Sequence, residues 1–145
     1  MIAYFDSSSI VKWFFDEPFS DMARSIKEGT DKAFTSLVSY PEILSAFRRA
    51  WREGHCTKSD MEIVQGEFAR IWDDLLWIKP DQRLILNTRE LIFKYELKGY
   101  DSIHLASSLL LMEQSDGMDV FFSCFDRALN RAAKEEGLKI HEICD

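Results

Sequence analysis

The feature that most limits the folds open to this chain is the spacing of its short apolar runs. Ile2 to Phe5, Ala33 to Thr35, Leu76 to Ile78 and Val120 to Cys124 are each three to five residues long. Between them lie longer stretches in which apolar residues recur every three or four positions, the period of an amphipathic helix. Short strands separated by helices predict a parallel sheet whose faces the connecting helices cover. The expected architecture is therefore α/β, a helix–sheet–helix sandwich in one domain spanning 1–145.

Local signals place the elements. After Ile2 to Phe5 the pattern turns helical through Ile10, Val11, Phe14 and Phe15, and Asp16-Glu17-Pro18 breaks it. Met22 to Lys27 predicts a short helix stopped by Gly29. Ser39 to Arg52 predicts a longer one, with Pro41 in its first turn and an apolar stripe of Tyr40, Ile43, Leu44, Phe47 and Trp51. Ser59 and Glu62 have the spacing of a capping box, followed by Met61, Val64, Phe68, Ile71 and Leu75. A helix from about Gln82 to Leu97 is expected to close at Gly99. Asp101 to Met112 is apolar nearly all round and so predicts a buried helix. Arg127 to Glu136 predicts a last helix ended by Gly137, and Leu138 to Ile143 a final strand.

Composition narrows the class. A chain of 145 residues with 13% aromatics buries enough apolar surface to fold without disulfides or structural metal. No apolar run approaches the ~18 residues of a membrane span, and the start of the chain has neither a basic segment nor a long apolar one, so a soluble cytoplasmic protein is expected. Cys56, Cys124 and Cys144 are odd in number and far apart, which predicts reduced thiols.

In a parallel sheet ligands sit beyond the carboxyl ends of the strands, so chemistry is expected just after Phe5, Ser36 and Ser123. Four acids fall there. Asp6 directly follows the first strand, Glu42 lies in the first turn of the helix after the second, Asp101 opens the most apolar helix, and Asp126 follows Val120 to Phe125. Each alone is also a natural helix cap or dipole partner. Four together at one rim would repel by about 3 kcal/mol per pair at about 5 Å and an effective dielectric of about 20. A hard divalent cation, Mg²⁺ or Mn²⁺, relieves that repulsion with oxygen ligands while keeping part of its water shell.

The stretches Tyr-Phe-Asp6-Ser-Ser8-Ser-Ile-Val-Lys12, Ser-Tyr-Pro-Glu42-Ile-Leu-Ser-Ala-Phe-Arg48-Arg49, Tyr-Asp101-Ser-Ile-His104-Leu-Ala and Phe-Asp126-Arg-Ala-Leu-Asn-Arg-Ala-Ala together resemble the PIN domain, in particular its VapC-type toxin ribonucleases. The resemblance implies a three-layer α/β/α sandwich with a mostly parallel central sheet. It further implies a Mg²⁺- or Mn²⁺-dependent endoribonuclease with Asp6, Glu42, Asp101 and Asp126 as catalytic metal ligands and Ser8 as a supporting hydroxyl. A cognate antitoxin and a homodimer are also implied. One departure stands out: Cys124 occupies the place where many members carry Thr or Ser two residues before the last acid, and Ser123 beside it points the other way on a strand.

A net charge of −7 gives no general basic field for RNA, so local cations must serve. Lys12, Arg48 and Arg49 are the expected substrate-binding residues, with Arg49 two turns from Glu42 on the same helix face. His104 shares a face with Asp101 and is expected to be structural more than catalytic. No Gly-rich phosphate loop or nucleophile motif competes. The alternatives are a non-catalytic α/β interaction domain and another acidic-crevice phosphohydrolase, although Asp6-Ser7-Ser8 lacks the Asp-x-Asp pair the latter needs.

Overall fold

A computed structural model describes residues 1–143. Four strands, β1 (Ile2–Phe5), β2 (Lys32–Ser36), β3 (Leu76–Ile78) and β4 (Val120–Ser123), form one sheet in the order β3-β2-β1-β4, and every pairing is parallel. Seven helices connect or follow them among the described residues: α1 (Ser7–Val11), α2 (Ser20–Glu28), α3 (Ser39–Arg52), α4 (Lys58–Asp74), α5 (Gln82–Tyr95), α6 (Gly99–Glu113) and α7 (Arg127–Glu135).

Strand alternation divides the core into two. Tyr4 faces one layer, where it packs with Leu84 and Leu91 of α5, Leu105 and Leu111 of α6, and Leu129 of α7. Ala3 and Phe5 face the other, with Ile10 of α1, Ala23 of α2, Phe47 of α3, and Phe68 and Trp72 of α4. Phe47 meets the rings of Phe14, Phe15 and Phe68 edge-on at 5.4, 5.6 and 5.5 Å. Its truncation to Ala would cost about 3–5 kcal/mol. The result is the expected three-layer sandwich.

The topology also fixes where a ligand goes. The chain builds β1, β2 and β3 outward in one direction, then returns to place β4 on the other side of β1. That reversal opens a crevice at the carboxyl ends of β1 and β4. Buried hydroxyls secure this end of the sheet. Thr35 Oγ1 donates to the Phe5 carbonyl at 2.8 Å and accepts from Ser39 at 2.7 Å, and Ser9 pairs with Ser123 at 2.7 Å.

Four local expectations need correction. The first helix stops at Val11, and Phe14 and Phe15 lie beyond it. The capping box of α4 is Thr57 with Asp60, two residues earlier than Ser59 and Glu62, since Asp at the third helical position reciprocates as Glu does. Gly99 opens α6 and does not close α5, which ends at Glu96 in a left-handed conformation (φ 54°). The final strand reduces to a single parallel bridge between Phe121 and Lys139. Cys144 lies outside the described residues, and Cys56 and Cys124 are free thiols. No helix among the described residues is long and apolar enough to cross a membrane.

Candidate active site

Asp6 sits where β1 becomes α1. Its backbone amide continues the sheet by donating to the Ser123 carbonyl at 3.1 Å, and its side chain caps α1 by accepting from the Ser9 amide at 2.8 Å. Ser8 Oγ donates toward both carboxylate oxygens, at 2.9 and 3.0 Å. The carboxylate is only 5% exposed. Burial raises its pKa from 3.8 to about 6; His104, the Ser9 amide and Ser8 oppose the rise, and Asp101 adds to it.

Glu42 enters from the first turn of α3 and is held from the opposite layer. His104 of α6, 1% exposed, places Nε2 2.8 Å from Glu42 Oε1 and Nδ1 2.7 Å from the hydroxyl of Tyr4. The Tyr4 hydroxyl and the Glu42 carboxylate thus hold the two ring nitrogens of His104. Tyr4 can play this part because burial pushes its pKa well up and keeps the phenol protonated. Sequence spacing placed His104 on the face of Asp101, but its two partners lie 100 and 62 residues away and carry no local signal.

Asp101 lies in the first turn of α6. Burial raises its pKa, Asp126 and Glu42 add to the rise, and His104 and Lys98 oppose it. Asp126 is exposed and caps α7, accepting from the Leu129 amide at 2.8 Å. Cys124 is buried beside these acids, its Sγ 3.4 Å from the Asp126 carbonyl. Burial drives the thiol pKa far up, and the charges of Asp6, Asp126 and Asp101 push the same way, so it remains a neutral thiol. Ser123 does point away, toward Ser9. Asp101 thus lies within electrostatic reach of Asp6 at the β1–α1 junction, Glu42 of α3 and Asp126 at the start of α7.

A groove of about 880 Å³ runs from this rim between α1 and α3, past Ser8, Lys12, Phe15, Glu42, Arg49 and His55. Lys12 is ion-paired to Glu17 at 2.9 Å and lies over the Phe125 ring, while Arg49 has no ion-pair partner among the described residues. Arg48 does not line the groove; its guanidinium stacks 4.4 Å above Trp51.

Acids gathered at the switch point of a parallel sheet agree with what comparison of the chain shows. Residues 3–135 match the PIN domain. The chain belongs to the PIN domain family. It is 26% identical over 139 residues to ribonuclease VapC45 and to ribonuclease VapC49, both of Mycobacterium tuberculosis, covering 96% of this chain and 94% of each relative. In fold it is similar to the crystal structure of Mycobacterium tuberculosis VapC20, described as a sarcin-ricin loop cleaving toxin. The TM-score is 0.63 at 13% identity, over 90% of this chain and 94% of that one.

In this PIN domain, no three or more His, Cys, Asp or Glu side chains among the described residues are arranged so that together they could hold a metal ion. Asp101 stands close enough to Asp6 to raise its pKa, and Asp126 and Glu42 close enough to Asp101 to raise its own, yet the acids form no cage. Such a set fits a hard divalent ion that keeps much of its water and takes only one or two carboxylates directly. It does not fit zinc, whose sites are closed by three or four protein ligands.

Proposed function

We propose that this PIN domain is a divalent-metal-dependent endoribonuclease that hydrolyses RNA phosphodiester bonds and serves as the toxin of a toxin–antitoxin pair. The observation that carries the reading is the placing of the buried Asp6 carboxylate at the switch-point crevice with Asp101 near enough to raise its pKa, and of Asp101 near enough to Glu42 and Asp126 for both to raise its own. The names of the curated relatives, which cover nearly the whole chain, support ribonuclease chemistry.

Asp6 and Asp101 would hold Mg²⁺ or Mn²⁺, with Glu42 and Asp126 acting directly or through water. When bound, the ion supplies Lewis-acid polarisation of the phosphoryl oxygens and a more acidic water. The chain's own residues do the rest. Ser8 and the Ser9 amide fix the Asp6 carboxylate, the Tyr4–His104 pair fixes Glu42, and the groove admits the strand. Arg49 is the cation best placed to take a phosphate, Lys12 shares its charge with Glu17, and Arg48, stacked on Trp51, lies outside the groove.

A cognate antitoxin is the proposed protein partner and the cytoplasm the proposed location. A second copy of the chain is assigned to the exposed Tyr40 and Trp77, the latter on the edge strand β3, whose rings pack on either side of the buried Trp72 at 5.1 and 5.6 Å.

Calorimetry with Mn²⁺ separates this reading from a non-catalytic interaction domain. Binding by the wild type that is lost in Asp101→Asn supports the nuclease, and no binding by either protein contradicts it.

A further inference from the structure

The groove beside α3 accounts for one flank of the acidic rim; the other flank carries charge of the opposite sign. Arg127, Arg131 and Lys134 follow one another at i, i+4 and i+7, so they form a single stripe along α7. The stripe begins at the residue after Asp126 and runs about 10 Å away from it, at 1.5 Å per residue. All three side chains are exposed. In a chain of net charge −7 such a grouping stands out, because acids outnumber bases overall.

The stripe also borders a recess. Arg127, Asn130, Arg131, Lys134, Ile140 and His141 line a cavity of about 290 Å³. Asn130 is 4% exposed, and its amide nitrogen donates to the Cys124 carbonyl at 2.8 Å. Its Oδ1 is buried with no donor among the described residues. Lys134 has one carboxylate nearby, Glu142 at 3.7 Å, in a solvent-exposed pair that holds it weakly.

We infer that the α7 stripe is a second RNA-binding flank, taking the phosphates of the strand on the side of the scissile bond opposite Arg49. The inference rests on the ribonuclease reading above and extends it to the course of the strand. RNA would enter through the groove between α1 and α3, cross the acidic rim, and leave over Arg127, Arg131 and Lys134. The stripe would offset, beside the acidic rim, the repulsion that a negative centre exerts on a polyanion.

The test is the salt dependence of binding to a fluorescein-labelled single-stranded RNA, followed by anisotropy in EDTA so that no cleavage intervenes. Each phosphate contact on a single strand contributes about 0.7 to the slope of log K against log salt. Arg131→Gln/Lys134→Gln should therefore lower the slope by about 1.4 and weaken binding without regard to sequence. Lys32→Gln, at the amino end of β2, should leave both unchanged. Both altered positions are exposed, and an unchanged urea midpoint shows that the variant is folded. A folded double variant that keeps the wild-type slope overturns the second flank while leaving the ribonuclease reading in place, and assigns the stripe to an acidic protein segment. A wild type that binds no RNA in EDTA and cleaves none with Mg²⁺ overturns both.

Discussion

His104 ties Tyr4 of the central strand to Glu42 of α3, with 2.7 Å on one side of its ring and 2.8 Å on the other. One imidazole thereby connects the layer holding α6 to the layer holding α3 and sets the direction from which Glu42 faces the other acids. Removing it should do two kinds of damage. His104→Ala removes the ring nitrogen that pairs with the buried Tyr4 hydroxyl and opens a cavity, a loss of about 2–4 kcal/mol. Tyr4→Phe keeps the ring stacked on Phe122 and should cost about 1–2 kcal/mol. Urea denaturation checks both values, and Mn²⁺ binding should weaken more in His104→Ala than in Tyr4→Phe, because only the former frees Glu42.

Asp6 makes stability depend on pH in a definite direction. Its folded pKa of about 6 exceeds the ordinary 3.8, so between these values the folded chain holds a proton that the unfolded chain has lost. Stability is then greatest below the unfolded pKa and declines as pH rises through about 6, by about 3 kcal/mol in all from this group. Asn is as good a helix cap as Asp. Asp6→Asn should therefore flatten the decline and be the more stable protein at pH 8 without divalent ions. Urea midpoints at pH 5 and pH 8 measure the difference.

Divalent ions should reverse that decline. At pH 8 the clustered acids are ionised, and Mg²⁺ at about 100 times its Kd would add about 2.7 kcal/mol. At pH 5 protons compete for Asp6, and the gain should shrink. A melting temperature indifferent to Mg²⁺ at pH 8 would count against the acids forming a metal site.

The cleavage products follow from water as the nucleophile. In-line attack on phosphorus breaks the bond to the 3′-oxygen, which leaves as a hydroxyl, and the phosphate stays on the 5′ end of the downstream fragment. The 2′-hydroxyl takes no part. Mass spectrometry of the fragments should show 5′-phosphate and 3′-hydroxyl ends, and 2′,3′-cyclic phosphates would exclude this chemistry.

Much of the architecture is legible where local and tertiary signals agree. Ile2 to Phe5, Ser39 to Arg52 and Leu76 to Ile78 form the elements their patterns predict, because apolar spacing and flanking residues point the same way. Competing local signals account for the misses. Thr57 and Ser59 both offer a cap followed by an acid, and the chain starts α4 from the earlier one. Leu138 to Ile143 has a strand-like composition but secures only one bridge beyond β4, a matter of partner and not of propensity. At the site, the acids are visible because strand ends and helix starts announce them. The Tyr4–His104–Glu42 chain is not, since it joins residues distant in sequence through side-chain geometry alone.

Cleavage of a defined RNA by the wild type and by Asp6→Asn, each with Mg²⁺ and with EDTA, bears most directly on the proposed activity. Cutting by the wild type with Mg²⁺ alone, and by Asp6→Asn in neither condition, is the predicted outcome. Undiminished cutting in EDTA, or by Asp6→Asn, would contradict a metal-dependent acidic centre.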